Sequence, residues 1–309
     1  MIRLFATVFA ALTGLAFGSF LNVCLSRWPE GQSIVTPRSR CPRCGHTLAW
    51  FENVPLVSWL ALRGRCRACG VWIGLRYPLV ELAVGTLWGV LAWRLADWTA
   101  LSVLPDHVLY REIARTVGQA IFCWLLVALA ALDAEHLWLP DWLTWPGMAM
   151  GLAYSAVLLP RGRISPLLSL LGSAALPFTA GNAHTNIQTH IQAGIAALVA
   201  MVAAAALILF IRWTYKLIRK REGIGLGDAK LMAMLAAWLG LSGALLSFVF
   251  GITLGTVVAL IALALPSTCA GEGWALHKLP LGTFLCIGAL FATLYGQPIL
   301  AAYLRWCGF

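Results

Sequence analysis

The sequence predicts an all-α fold: a polytopic membrane helix bundle of about eight spans that carries one small cytosolic loop shaped like a zinc knuckle. Three observations predict it. Of the 309 residues, 61% are hydrophobic and 11% charged, too little polar surface to cover a soluble globule. Several apolar runs reach the roughly 17–25 residues that cross a hydrocarbon core as a helix, and no short alternating pattern suggests a barrel. Four of the nine cysteines fall in one polar loop as two Cys-x-x-Cys pairs.

Apolar runs bounded by charges and prolines place the spans at about 4–25, 78–96, 117–132, 142–159, 191–212, 230–243, 245–266 and 280–304. The first run follows a single basic residue, Arg3, is long for a secretory signal and has no Ala-x-Ala cleavage pattern, so it is expected to be retained as a helix. Val23 stands where a lipoprotein cysteine at Cys24 would need a small residue. The stretch 230–266 is too long for one helix and is divided in the Gly240 to Gly243 region. A shorter run, 164–178, contains Pro166 and Pro177 and reads as re-entrant or interfacial. The polar segment 179–190 reads as a flexible connector. Gly14 with Gly18, and Gly251 with Gly255, form two GxxxG pairs that let helices approach closely. No internal repeat is evident.

The net charge of +10 raises the question of nucleic acid. The basic residues cluster in loops between apolar runs, however, as the positive-inside bias requires, and this argues for a lipid bilayer and against nucleic acid. With the N-terminus outside, most Lys and Arg residues lie on the inner side, which places the loops 26–77 and 213–229 in the cytosol. The expected organisation is a first transmembrane helix (1–25), a cytosolic four-cysteine module (26–77) and a multi-span membrane domain (78–309).

In that module, Cys41-Pro-Arg-Cys44-Gly and Cys66-Arg-Ala-Cys69-Gly are separated by 21 residues. Each Cys-x-x-Cys-Gly turn aims two thiolates at one point, because the glycine permits the left-handed backbone that closes it. Two such turns complete a tetrahedral sulfur site. Cys41, Cys44, Cys66 and Cys69 are therefore the expected ligands of a structural zinc ion, although the spacing is slightly longer than in common zinc ribbons. Arg40, Arg43, Arg65 and Arg67 favour the thiolate form. Two disulfides or a redox dithiol are the alternatives, and the cytosolic placement of the loop counts against them. Cys24, Cys123, Cys269, Cys286 and Cys307 lie in or beside apolar runs and read as packing residues.

Asp133 follows the run AIFCWLLVALAAL and Asp228 precedes AKLMAMLAAWLGL, so both stand where a helix meets the inner interface. A carboxylate at that depth is costly and by default marks function. Asp228 closes Gly223-Ile-Gly225-Leu-Gly227-Asp228, in which alternate glycines clear space beside the acid. The bland alternative makes Asp228 the N-cap of the next helix. Brought together, two aspartates share a proton: one deprotonates water for attack on a carbonyl while the other protonates the leaving group. Asp141 is expected to cap the fourth span. Glu135 and His136 read as exposed loop residues or as substrate contacts, and Glu81 as either a functional or a snorkelling carboxylate.

Taken together, several segments resemble the bifunctional type IV prepilin peptidase family, also called leader peptidase and N-methyltransferase. They are Gly18-Ser-Phe-Leu-Asn-Val23 with Arg27 and Pro29; the two cysteine pairs around Glu52-Asn53-Val-Pro55-Leu-Val-Ser58-Trp59; Arg76-Tyr77-Pro78-Leu-Val-Glu81; Leu132-Asp133 through Pro140-Asp141; and Gly225-Leu-Gly227-Asp228-Ala-Lys230. The resemblance covers about 18–82, 125–147 and 222–255. It implies that Asp133 and Asp228 are the peptidase aspartates. It further implies that the cysteine loop serves N-methylation of the new amino terminus by S-adenosylmethionine, although no glycine-rich nucleotide motif is present. The implied substrates are type IV prepilins and pseudopilin precursors, cut after a glycine to expose a residue that is commonly Phe. The implied location is the bacterial inner membrane, with the active site facing the cytosol. The sequence departs from the family where a Pro-Phe-Gly-Pro-type pattern reads Pro280-Leu-Gly-Thr283, and where 160–190 is expanded. Three rivals fit less: a transporter would show symmetric halves, a presenilin-type protease would lack the cysteine loop, and a zinc-bearing scaffold would need neither aspartate.

Overall fold

The computed structural model describes residues 1–95, 105–158, 187–220, 225–264 and 280–307. Among them the regular elements are helices, and the only β pairing is two isolated bridges. The α-helices are α1 (Ile2–Arg27), α2 (Val57–Ala61), α3 (Arg76–Arg94), α4 (Asp106–His136), α5 (Asp141–Leu158), α6 (Ile187–Arg219), α7 (Leu226–Ala264) and α8 (Leu281–Trp306). Helix stands at every predicted apolar run. Five helices, α1, α4, α6, α7 and α8, are long and apolar enough to cross a membrane. The figure of eight therefore counts apolar runs, not established crossings.

Two helices outrun their predicted bounds. Helix α4 begins at Asp106, well before 117, because an ion pair of Glu112 with Arg115 (2.7 Å) supports a polar first half. Helix α6 continues to Arg219, with Lys216 and Arg219 in its last turn, where cations suit the helix dipole. Its first turn also takes up 187–190, the end of the predicted connector. The rest of that connector, the run 164–178, Cys269 and Gly223 lie outside the described residues.

The chain forms two compact units, Met1–Ala128 and Leu129–Phe309. In the first, α1 packs on α3 along a seam of glycines. A Cβ on Gly18 would lie 2.7 Å from the Cα of Glu81, and one on Gly85 would lie 2.6 Å from the Leu15 side chain. The predicted Gly14/Gly18 pair thus has a counterpart in Gly85/Gly89, and the close approach gains the dispersion contacts that hold helices together in lipid. Buried Asn22 donates to the carbonyl of Tyr77 across this seam at 2.9 Å.

In the second unit α7 is the hub, packed on α5, α6 and α8. Residues 231–238 are all buried, which is why this run is apolar without periodicity: a helix covered on every side has no polar face. Helix α7 breaks at Gly240 (φ 72, ψ 175), inside the region predicted to divide the sixth and seventh runs. Before the break, Trp238 donates to the Gly147 carbonyl at 2.8 Å and Ser155 to the Ala237 carbonyl at 2.5 Å, tying α5 to α7. After it, Gly251 faces the backbone of Phe284 and Leu285, so α8 lies close against α7.

Candidate active site and metal centre

Asp133 lies in the last turn of α4 and Asp228 in the first turn of α7. Both residues are buried, 6% and 9% exposed. Both stand beside Leu139, which a Cβ on Gly282 (next to Asp133) or on Gly227 (next to Asp228) would approach to 3.2 and 3.3 Å, and this joins them across 95 positions of chain that sequence reasoning could not bridge.

Each acid is held by the start of a helix. The Oδ2 of Asp133 accepts the backbone N–H of Thr283 at 2.6 Å and the Thr283 hydroxyl at 3.1 Å. Thr283 is the third residue of α8. Asp228, the third residue of α7, turns back so that its Oδ2 accepts the N–H of Gly225 at 3.1 Å, the reach of a capping-box acid. The alternative reading of Asp228 as the N-cap is not met: the helix starts at Leu226, and Asp228 reaches back from its third position. Unpaired N–H groups and the dipole at a helix start favour negative charge. Two helix starts therefore offset part of the cost of burying two like charges together.

Small residues make room for the pair. A Cβ on Gly282 would lie 2.9 Å from Cγ and Oδ2 of Asp133 and 3.2 Å from Leu139, and a Cβ on Gly227 would lie 3.3 Å from Leu139. A Cβ on Gly225 would make only ordinary contact, 3.5 Å from Oδ2 of Asp228. Of the described glycines in the alternate run, Gly227 is thus the one that packing requires. The sequence reading gave Gly282, Thr283 and Leu139 no role beside Asp133, and took Pro280-Leu-Gly-Thr283 only as a departure from the family pattern. The available signal was Pro280, a helix breaker, followed at once by a glycine and a hydroxyl residue at the head of an apolar run. The departure at Pro280-Leu-Gly-Thr283 supplies both donors to Asp133.

Asp141 does not cap its helix through its side chain as expected. The Pro140 carbonyl accepts the N–H groups of Leu143 and Thr144, and Asp141 instead pairs with Lys230 at 2.6 Å. This pins the start of α5 to α7 two residues beyond Asp228. Glu135 and His136 are exposed at the end of α4, 3.9 Å from each other, in keeping with the bland reading.

In the first unit, the Sγ atoms of Cys41, Cys44, Cys66 and Cys69 all lie within 4.8 Å of one another. The contacts run between knuckles, Cys41 to Cys69 at 3.8 Å and Cys44 to Cys66 at 3.9 Å. A tetrahedron with metal–sulfur bonds of about 2.3 Å has edges of about 3.8 Å, so the four sulfurs fit one metal ion. The knuckles repeat each other. Cys41 and Cys66 donate to the carbonyls of His46 and Val71, Gly45 and Gly70 close the turns at φ 72 and 69, and bridges Arg40–Thr47 and Arg65–Trp72 flank them. This short repeat, offset by 25 positions, was not evident from the sequence. Amides in the turns favour thiolates: the N–H groups of Cys44 and Arg43 bring Cys41 down to about 6, and those of Cys69 and Ala68 lower Cys66.

Two buried glutamates fasten this module. Glu52 accepts the N–H of Ala49 at 2.8 Å, faces Nε2 of His46 at 3.1 Å and lies 4.0 Å from Arg67. The Ala49 amide first, then His46, hold its carboxyl below the usual carboxylate range. Glu81, in α3, accepts the N–H of Leu56 at 2.8 Å, at the start of α2. It is buried, so it does not snorkel, and it ties the loop to the helix pair.

Residues 12–95 match a family model described as the bacterial peptidase A24 N-terminal domain, and residues 174–260 match the type IV leader peptidase family. The chain is similar to proteins named prepilin leader peptidase/N-methyltransferase. It is 40% identical over 259 residues to one from Myxococcus xanthus, covering 83% of this chain and 63% of that protein. It is 31% identical to one from Stutzerimonas stutzeri and 32% to one from Pseudomonas aeruginosa, each covering 96% of this chain and 93% of the relative. The chain therefore spans somewhat under two thirds of the Myxococcus protein and nearly all of the other two. No solved structure matches it.

Proposed function

Because the chain belongs to the type IV leader peptidase family, we propose that it is a bifunctional membrane enzyme. It cleaves the leader from type IV prepilins and pseudopilin precursors and then N-methylates the exposed amino terminus. The observation that carries the peptidase half is the burial of both Asp133, at the end of α4 and held by the start of α8, and Asp228, in the first turn of α7, beside the same Leu139.

Asp133 and Asp228 are the catalytic pair on this reading. The ionised acid takes a proton from water as the water oxygen attacks the scissile carbonyl carbon. The partner gives its proton to the leaving nitrogen as the C–N bond breaks. No covalent intermediate forms. The excess of Lys and Arg in the segments 26–77 and 213–229 supports a position for these groups at the cytosolic face of the inner membrane. The precursor's own apolar helix then holds its scissile bond at the same depth.

Cys41, Cys44, Cys66 and Cys69 hold a structural zinc ion on this reading, which cross-links a loop too short to build its own core. The methyl donor is S-adenosylmethionine, whose activated methyl group passes to the new amine. The segments 1–25, 26–77 and 78–309 serve as first span, zinc module and peptidase domain.

Replacing Asp133 or Asp228 by Asn tests the assignment. Each variant is expected to insert in the membrane and to lose at least about 10²-fold in cleavage rate, the scale of general acid–base catalysis. Normal processing by either variant would refute the pair and return the scaffold reading.

A further inference from the structure

We propose that Thr283 is a positioning residue for leader cleavage, one that occupies Oδ2 of Asp133 with two donors and leaves Oδ1 as the oxygen that works on water. The proposal rests on the assignment of Asp133 to the catalytic pair. Both Thr283 contacts fall on the same carboxylate oxygen: the backbone N–H at 2.6 Å and the hydroxyl at 3.1 Å. The amide belongs to the first turn of α8, so it is fixed by the helix and has no intrahelical acceptor of its own. A donor of that kind, at charge-assisted distance, sets where the oxygen sits without further reorganisation. The absence of a side chain at Gly282 is what lets the helix start come so near, since a Cβ there would press on Cγ and Oδ2.

The hydroxyl adds what the amide lacks. It has one proton and two acceptors, Oδ2 of Asp133 and the Ala130 carbonyl at 3.0 Å. While Asp133 is ionised, the hydroxyl donates to the carboxylate. With Oδ2 so occupied, the proton taken from water settles on Oδ1: the water O–H bond breaks, the Oδ1–H bond forms, and the water oxygen attacks the carbonyl carbon with the released electron pair. As the negative charge leaves Asp133, the hydroxyl turns to Ala130 and stays bonded, so neither protonation state strands a buried polar group. Valine has the shape of threonine and cannot do this, whereas serine can.

The test uses the full-length enzyme reconstituted in liposomes with a pilin-type precursor, and measures kcat and KM for cleavage. Thr283→Val is expected to lower kcat about tenfold, equivalent to about 1.4 kcal/mol, with KM unchanged, and Thr283→Ser to recover most of that loss. Thr283→Ala replaces the valine variant if the latter fails to insert, with thermal unfolding in detergent as the folding control. A normal kcat in Thr283→Val beside an inactive Asp133→Asn overturns the positioning role and leaves the catalytic pair intact. Equal losses in the Val and Ser variants would reduce Thr283 to packing. An active Asp133→Asn would instead remove the reading beneath the proposal.

Discussion

Gly282 carries no chemistry, yet its missing side chain decides where Asp133 sits. Alanine there puts a methyl 2.9 Å from the carboxyl, and the acid, at the free end of a side chain, is what must move. A displacement of about 1 Å in a catalytic group costs on the order of 10²-fold in rate, so Gly282→Ala should fall by about that much while still inserting. Gly225→Ala, with its nearest contact at 3.5 Å, should lose far less, and cleavage assays on the two variants check the contrast. Glu52 gives a test of a different kind. Its carboxyl is held low by the Ala49 amide and His46, so its contribution is complete above the unfolded value of about 4.3 and is lost as pH falls from there through the folded value. Glu52→Gln should therefore increase hydrogen exchange at the Ala49 amide at pH 7, with the difference from wild type closing in acid. The sequence revealed Asp133 and Asp228 because a charge bordering an apolar run has a cost that needs a reason. It concealed Gly282 and Thr283 because small and neutral residues at a helix start have no such cost.

Among the elements, the apolar runs were legible to within a few residues wherever lipid or burial demanded hydrophobicity, and misread where a helix ran on into water, as α4 and α6 do. The break in α7 was legible for another reason: glycines interrupt a run too long for one span. At Gly240 the backbone is left-handed with open space around the missing Cβ. Gly240→Ala should therefore cost only the conformational penalty of that glycine-favouring region, about 1–3 kcal/mol. Gly18→Ala meets the backbone of Glu81 at 2.7 Å and has no open side, so it should pry α1 from α3 and cost about 1–3 kcal/mol. Thermal unfolding in detergent, read with both variants, ranks them. The partner glycines on α3 went unseen because a GxxxG pair does not announce which helix it meets. Pairing is a property of the fold, not of either strip of sequence.

At the scale of the whole molecule, the four-sulfur centre and the acid pair belong to different compact units, so on the proposed assignment of methylation to the cysteine loop the two activities should be separable. Removing the metal, or replacing Cys66 by Ser, should loosen the knuckle loop and depress methylation while precursor cleavage persists. Purified enzyme should carry one zinc per chain, and a metal-free preparation with both activities intact would dismiss the site. The acids set a further condition. They are buried at the ends of α4 and α7, helices long and apolar enough to cross a membrane, so on the proposed reading they reach only a bond held at that depth, with the substrate's apolar helix as the anchor. Depth alone does not select a sequence, because an ordinary secretory signal also spans the bilayer. On the proposed substrate assignment, selection comes from the leader glycine before the scissile bond, whose missing side chain lets the substrate backbone come close to the acids. A pilin-type precursor should accordingly be cut after its leader glycine. A variant with a bulky residue in place of that glycine should be cut at least about 10²-fold more slowly, the cost of a misplaced reacting atom. Equal cleavage of the two, or cleavage of secretory signals instead, would refute the substrate assignment and leave the chemistry of the acid pair standing.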